Sequence, residues 1–456
     1  MSSSALQIKP EDISTHEKRG KYTISVIDDG LTGILHAYFF AEAGFKVFCV
    51  ELEQTLADRI MKGVMFFPEP NIEKAVKNHV KSSHIIATHD VKTAVSQSEV
   101  IMITIPVKVD EKKRPDYTQI KNLCKQVATC LQQGALVIIA TTMGIGSTEE
   151  VIKIIEDASG FKVGSDIGLA YSPCIISLSA TPVETQARIV AADDELSLNS
   201  SATILETITP KNLRKVRNIK TAEAALLFKA AQKNMESALN NELAAFCEKA
   251  KIDLLEASEI VNSLRHGKLA IPTFSDTGTQ KGISILLGDS ENLDAPLRLT
   301  RASQSINSEL ARRTINLVKD ALHNSNKTMR RARVTLLGIA QAPDRKILPN
   351  RKVNELVKIM EKRGIRLGIY DPYFTKDDLP DFQKYVKKTL NEALEGSDCA
   401  IILTAHTQFR RLDLKKLKIL MRMPATIVDL EAVFDPRKVE KEGFIYRGLG
   451  RGVWTR

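Results

Sequence analysis

Val26-Ile27-Asp28-Asp29-Gly30-Leu31-Thr32-Gly33 stands where a strand hands over to a helix. The residues before the turn, Tyr22–Ile27, form a short β-type run. Those after it, Leu31–Gly44, carry apolar residues at helical spacing, with Gly44 as a stop signal. A second apolar run, Lys46–Val50, ends at Glu51. This reads as a βαβ opening of about 30 residues. In a nucleotide-binding unit of this kind, glycines make the first turn tight and let the backbone approach a pyrophosphate. Gly30 and Gly33 occupy the second and third glycine positions of G-x-G-x-x-G, but Asp28 replaces the first. A side chain there disturbs the turn. The carboxylates of Asp28 and Asp29 also oppose the anion that a helix N-terminus would attract. Glu51, about twenty residues on, is placed to accept ribose hydroxyls and would favour NAD over NADP. Two readings follow: a weakened NAD site built on Gly30, Gly33 and Glu51, or a Rossmann-like fold that no longer binds a dinucleotide.

Outward from this unit the alternation continues. Glu99–Ile105, Ala135–Thr141 and Gly168–Tyr171 read as buried strands separated by helical stretches. Such alternation predicts a parallel sheet covered on both faces. From Thr221 to about Asn262 the chain turns helical, rich in Ala and Leu and free of Pro and Gly. After a loop, Ser290–Leu322 is helical again. A second alternation then begins, with strands at Arg333–Leu337, Ile365–Tyr370, Cys399–Thr404 and Ala425–Asp429 and a helix over Arg351–Arg363. The fold class is α/β: two Rossmann-like parallel-sheet domains joined by a long central helical segment. The expected divisions are a flexible arm over 1–20, an N-terminal domain over 21–215, a central helical domain over 216–325 and a C-terminal domain over 326–456.

A chain of 456 residues with 43% hydrophobic residues can bury a large core without disulfides or metals. No run approaches the length of a membrane span. The first residues lack the apolar core of a signal peptide. Six scattered cysteines, at 49, 124, 130, 174, 247 and 399, form no CxxC pair, which argues against a zinc site and for a reducing, cytoplasmic setting. Lys and Arg number 65 against 55 Asp and Glu, leaving a mild excess of +10. Basic clusters at Lys108–Arg114, Arg330–Arg333 and Lys415–Lys418 read as solvated surface; no motif supports nucleic-acid binding.

Several tracts resemble, in order, the UDP-glucose/GDP-mannose dehydrogenase family, especially its UDP-N-acetylhexosamine branch. They are Glu69-Pro70-Asn71, Thr141-Thr142-Met143-Gly144-Ile145-Gly146-Ser147-Thr148, Tyr171-Ser172-Pro173, Ala222-Glu223-Ala224 with Ala238-Leu239-Asn240-Asn241-Glu242-Leu243, Gly338-Ile339-Ala340 with Pro343-Asp344, Tyr370-Asp371-Pro372, and Gly448-Leu449-Gly450-Arg451-Gly452. The resemblance covers about Lys21 to Gly452. It implies an NAD-binding-type first domain, a dimeric helical spine and a UDP-sugar-binding-type last domain. It also implies a four-electron oxidation of a sugar C6 alcohol to a carboxylate, with NAD as oxidant. There a cysteine thiolate captures the aldehyde, a Lys and an Asn stabilise oxyanions, and water releases the acid.

The family's catalytic residues do not carry over. Its cysteine, in a GGxCxPxD-type loop, falls on Ser284, and the loop's Asp falls on Gly288, one residue before Asp289. No cysteine lies between Cys247 and Cys399, so no slip of register restores the nucleophile. The K-x-x-E-N of the spine falls on Leu226, Lys229 and Ala230. The Glu and Arg of YSPER fall on Cys174 and Ile175, and a later Lys and Arg fall on Ala342 and Pro349. Thr142 survives, and with Gly30, Gly33 and Glu51 it completes the candidate cofactor set. Groups that act as a unit lose most of their rate enhancement together. The sequence therefore predicts a pseudoenzyme, a binding or regulatory subunit that pairs through its spine as a homodimer or with an active paralogue and takes a nucleotide sugar. The alternative is an NAD-dependent oxidoreductase with altered chemistry. His266 reads as a surface histidine.

Overall fold

A computed structural model describes residues 4–63, 70–110, 113–173, 187–209, 212–264, 269–274 and 279–454. Glu69, Cys174, Ile175 and His266 lie outside the described residues. The chain divides into two compact units, Met1–Ala230 with Lys281–Pro296, and Ala231–Gln280 with Leu297–Arg456. The division falls inside the 32-residue helix Ile219–Ala250, so the expected central domain is shared between the two units.

The first unit holds an eight-stranded sheet. Across the sheet the strands run Leu213–Val216, Arg188–Ala191, Gly168–Tyr171, Leu136–Ile139, Val100–Ile103, Thr23–Asp28, Lys46–Glu51, Ile85–Thr88. All neighbours pair parallel except Gly168–Tyr171 with Arg188–Ala191. The central strands Val100–Ile103 and Leu136–Ile139 are buried at every residue, as a sheet covered on both faces requires. Asp28 pairs with Glu51 at the carboxyl end of the first two strands. Strand order reverses between Thr23–Asp28 and Val100–Ile103, and ligands of open α/β sheets bind at such a switch point.

Two expectations are corrected here. The segment before Lys21 is not a free arm. Ala5, Leu6, Ile8 and Ile13 are buried, the Leu6 N–H donates to Gly134 O at 3.0 Å, and Ser200 Oγ donates to Leu6 O at 2.7 Å. Its apolar residues are too irregularly spaced to show a period. The stretch aligned with the catalytic loop, Lys281–Gly288, lies within a helix, Gln280–Asn292. Its glycines serve close packing: a Cβ on Gly282 would lie 3.0 Å from Ala230 Cβ, and one on Gly288 would lie 3.0 Å from Pro115 Cδ.

The second unit holds a five-stranded parallel sheet ordered Arg366–Tyr370, Arg333–Leu337, Cys399–Ile402, Thr426–Asp429, Ile445–Gly448. The helix Arg351–Lys362 covers it with Val353, Leu356, Val357 and Met360. Its start is fixed by Asn350, whose Oδ1 accepts from the Lys352 and Val353 N–H groups at 2.9 and 3.2 Å. Among the described residues no helix is long and apolar enough to cross a membrane.

Candidate functional site

The first candidate lies at the switch point of the N-terminal sheet. Asp28 is 2% exposed, and Glu51 beside it is fully buried. One Asp28 oxygen accepts the N–H of Gly33, in the first turn of the helix Leu31–Glu42. A Cβ on Gly33 would fall within contact distance of Asp28 Cβ, so the aspartate side chain lies directly over the glycine. Helix N-termini leave N–H groups unpaired and attract anions; this one has drawn in the chain's own carboxylate. Glu51 is poorly satisfied. Cys49 Sγ approaches its Oε1 at 3.8 Å, and its Oε2 is buried with no partner. Burial, with repulsion from Asp29, raises Asp28 to about 7. Burial and repulsion from Asp28 raise Glu51 to about 8.

These residues do not fit the dinucleotide that the glycine pattern implies. A pyrophosphate would meet a helix end already filled by Asp28, and a buried pair of acids close by. Gly30 and Gly33 keep the turn's shape, and Glu51 keeps the ribose position.

The second candidate is the turn Thr141–Thr148 of the same unit. Two acids hold it. Glu223, on the spine helix, accepts from Gly146 N at 2.6 Å and from Thr148 N and Oγ1 at 2.9 and 2.6 Å. It thereby caps the helix Ser147–Ser159. Asp289 Oδ2 accepts from Ile145 N at 2.8 Å. Gly144 is pressed between Asp289 and the Tyr117 hydroxyl; a Cβ there would lie 2.7 Å from Asp289 Oδ1. Burial pushes the Tyr117 phenol up to about 12, and it also raises Glu223 and Asp289.

The structure brings several sequence-predicted positions into this one unit. Thr142 is half-buried on the turn, Leu226 is buried and Ala230 half-buried on the spine helix, and Ser284 is 5% exposed inside the helix Gln280–Asn292. Asp289, one residue past the aligned Gly288, makes the contact to the turn. A register that gives Asp289 the loop-Asp role moves the cysteine position to Ile285, which is no nucleophile. Leu226 and Ala230 offer no donor to an oxyanion. Among the described residues no group of three or more His, Cys, Asp or Glu could hold a metal ion. Sequence reading missed Glu223 and Asp289 as anchors. The signal available for Glu223 was a carboxylate set among the alanines and leucines of the helix's first turns.

The second unit has the corresponding turn after its own first strand. Gly338 is left-handed at φ 76°, and a Cβ there would lie 2.8 Å from Thr404 O. Asp371 Oδ2 accepts from Ile339 N at 2.7 Å and Ala340 N at 3.0 Å, and His406 Nε2 approaches it at 3.2 Å. His406 Nδ1 accepts from Asp344 N at 2.8 Å, which leaves the ring proton on Nε2, facing Asp371. Ala342 and Pro349 sit on the following loop and bring no charge.

Comparison with known proteins agrees with this architecture. The family model "UDP-glucose/GDP-mannose dehydrogenase family, NAD binding domain" matches residues 22–191. The same family's UDP binding domain matches residues 335–436. A UDP-N-acetyl-D-mannosamine dehydrogenase of Pyrococcus horikoshii is 25% identical over 437 residues, covering 94% of this chain and 99% of that protein. A UDP-glucose 6-dehydrogenase of Rhizobium meliloti is 23% identical over 448 residues, covering 94% of this chain and 99% of that protein. The solved UDP-D-ManNAc dehydrogenase from Pyrococcus horikoshii superposes with a TM-score of 0.84 at 24% identity, covering 94% of this chain and 100% of the other. The UDP-N-acetyl-mannosamine dehydrogenase from Staphylococcus aureus gives 0.80 at 18% identity, covering 94% and 98%.

Proposed function

Because the chain belongs to the UDP-glucose/GDP-mannose dehydrogenase family, we propose that it is a member that recognises a nucleotide sugar without carrying out the four-electron oxidation. It acts as a binding or regulatory subunit. The observation that carries this reading is the missing thiol: no cysteine lies between Cys247 and Cys399, and Ser284 is packed inside a helix. A serine hydroxyl is not ionised near neutrality without a base, and a buried one is also shielded from an aldehyde. Leu226 and Ala230 remove the oxyanion donors as well. The ordered turn at Gly338–Ala340, tied by Asp371, supports retained binding in the C-terminal unit. Self-association or pairing with an active paralogue through the spine helix remains part of this proposal, as does a cytoplasmic setting.

A second reading has its own motive. Gly30, Gly33, Glu51 and Thr142 are kept, and a two-electron oxidation needs no thiolate. One experiment separates the two. The full chain is titrated calorimetrically with a panel of UDP-sugars, then incubated with each sugar and NAD⁺ while absorbance of NADH is followed. The proposal expects heat from a UDP-sugar and no NADH. Two NADH per sugar would overturn it, and one NADH per sugar would establish the second reading.

A further inference from the structure

We infer that Asp28 is a built-in substitute for a dinucleotide pyrophosphate, so that the first βαβ unit excludes NAD while Asp28 is ionised. The inference deepens the non-oxidising reading, but its readout is binding alone.

Three observations carry it. The Asp28 carboxylate takes the N–H of Gly33, a donor at the helix N-terminus where a phosphate would otherwise sit. Its side chain also fills the space above Gly33 that lets a ligand approach the backbone. Across the strand pair, Glu51 Oε2 is buried and unpartnered, an acceptor at the ribose position with nothing to accept from.

Acidic side chains stand on the turn and just beyond the second strand. Asp29 lies on the turn, Cys49 on the second strand and Glu53 just beyond it. Thr104, after the strand Val100–Ile103, offers Asp28 a hydroxyl. On the helix Leu31–Glu42, His36 bonds Thr32 O and lies near Arg188. Among the described residues neither Asp28 nor Glu51 forms an ion pair. A pyrophosphate brings two more negative charges to this place, and at close range in a buried site like charges repel strongly.

The two carboxyls titrate near 7 and 8. Above that range both are charged, and below about pH 6 both are neutral. Exclusion is therefore strongest in alkaline solution and relaxes on acidification.

The test is calorimetric titration of the full chain with NAD⁺, without sugar, at about pH 8.5 and about pH 6. Wild type, Asp28→Gly and Asp28→Asn are compared, and circular dichroism checks that each is folded. Asp28→Asn keeps an acceptor for Gly33 and serves where the glycine variant fails to fold. The expected result at the higher pH is roughly hundredfold tighter NAD⁺ binding by Asp28→Gly, which loses both the charge and the side chain over Gly33, and a smaller gain of about tenfold by Asp28→Asn, which loses the charge alone. The gain of Asp28→Asn shrinks to less than about threefold at the lower pH as Asp28 gains its proton, while Asp28→Gly keeps the part that comes from the space freed over Gly33. Wild type binding NAD⁺ at pH 8.5 as tightly as both variants would overturn the inference. So would folded variants that gain nothing. NADH formed from a UDP-sugar in any of these chains would defeat the non-oxidising reading while leaving the role of Asp28 to the binding data.

Discussion

The two sheets end their first βαβ units in opposite ways. In the C-terminal unit one acid, Asp371, follows the second strand and is met by the Ile339 and Ala340 N–H groups and the His406 ring. In the N-terminal unit two acids, Asp28 and Glu51, face each other across the strands, and one oxygen of Glu51 has no partner. The same backbone architecture thus carries a satisfied carboxylate in one place and a frustrated pair in the other. A buried carboxylate whose two oxygens are both met by donors fastens a turn; a buried pair that leaves one oxygen unpartnered competes for protons instead.

Breaking the satisfied side gives the largest effect. Asp371→Ala leaves three buried donors unpaired and is expected to cost about 3–5 kcal/mol, read as an early transition in urea unfolding. Next comes Glu223→Ala, which frees the Gly146 and Thr148 donors at the start of a helix. A loss of about 2–4 kcal/mol is expected by the same measurement. If Asp371→Ala proves milder than Glu223→Ala, the contrast between the sheets weakens.

The frustrated side is expected to respond with the opposite sign. Asp28 and Glu51 bind protons more tightly in the folded chain than in the unfolded one. Their favourable contribution is complete below the ordinary carboxylate range, near pH 4, and is lost as pH rises through about 7 and 8. Asp28→Asn therefore raises stability by about 1–3 kcal/mol at about pH 8.5, and by much less at about pH 5. Thermal melts across pH check this, and a pH-independent gain would remove the charge explanation. Glu51→Gln at about pH 5 has the smallest effect, within about 1 kcal/mol, because the folded carboxyl is protonated there and the unfolded one is only just above its ordinary range.

Much of this contrast was legible in the chain. The strands Gly168–Tyr171 and Arg333–Leu337 fall where their apolar runs predict, and Asp28 announces itself in the glycine pattern. What stayed hidden depends on distance along the chain. Glu223 meets a donor 77 residues away, and Asp289 meets one 144 residues away, so local pattern carries no trace of either. The helix Gln280–Asn292 was obscured because Gly282 and Gly288 read as loop residues, whereas both are small for contact with Ala230 and Pro115. The N-terminal residues escaped because Ala5, Leu6, Ile8 and Ile13 follow neither helical nor strand periodicity.

The division of the chain also sets a timetable. The first unit needs Lys281–Pro296, whose Ile283, Ile285, Leu286 and Leu287 are buried. A ribosome therefore finishes most of that unit long before supplying its last helix. The interval after Ala230 is roughly 65 residues, on the order of 3–13 s at about 5–20 residues per second. Throughout it the nascent chain carries an incomplete hydrophobic surface, which makes this stretch of synthesis the moment when a chaperone would matter most.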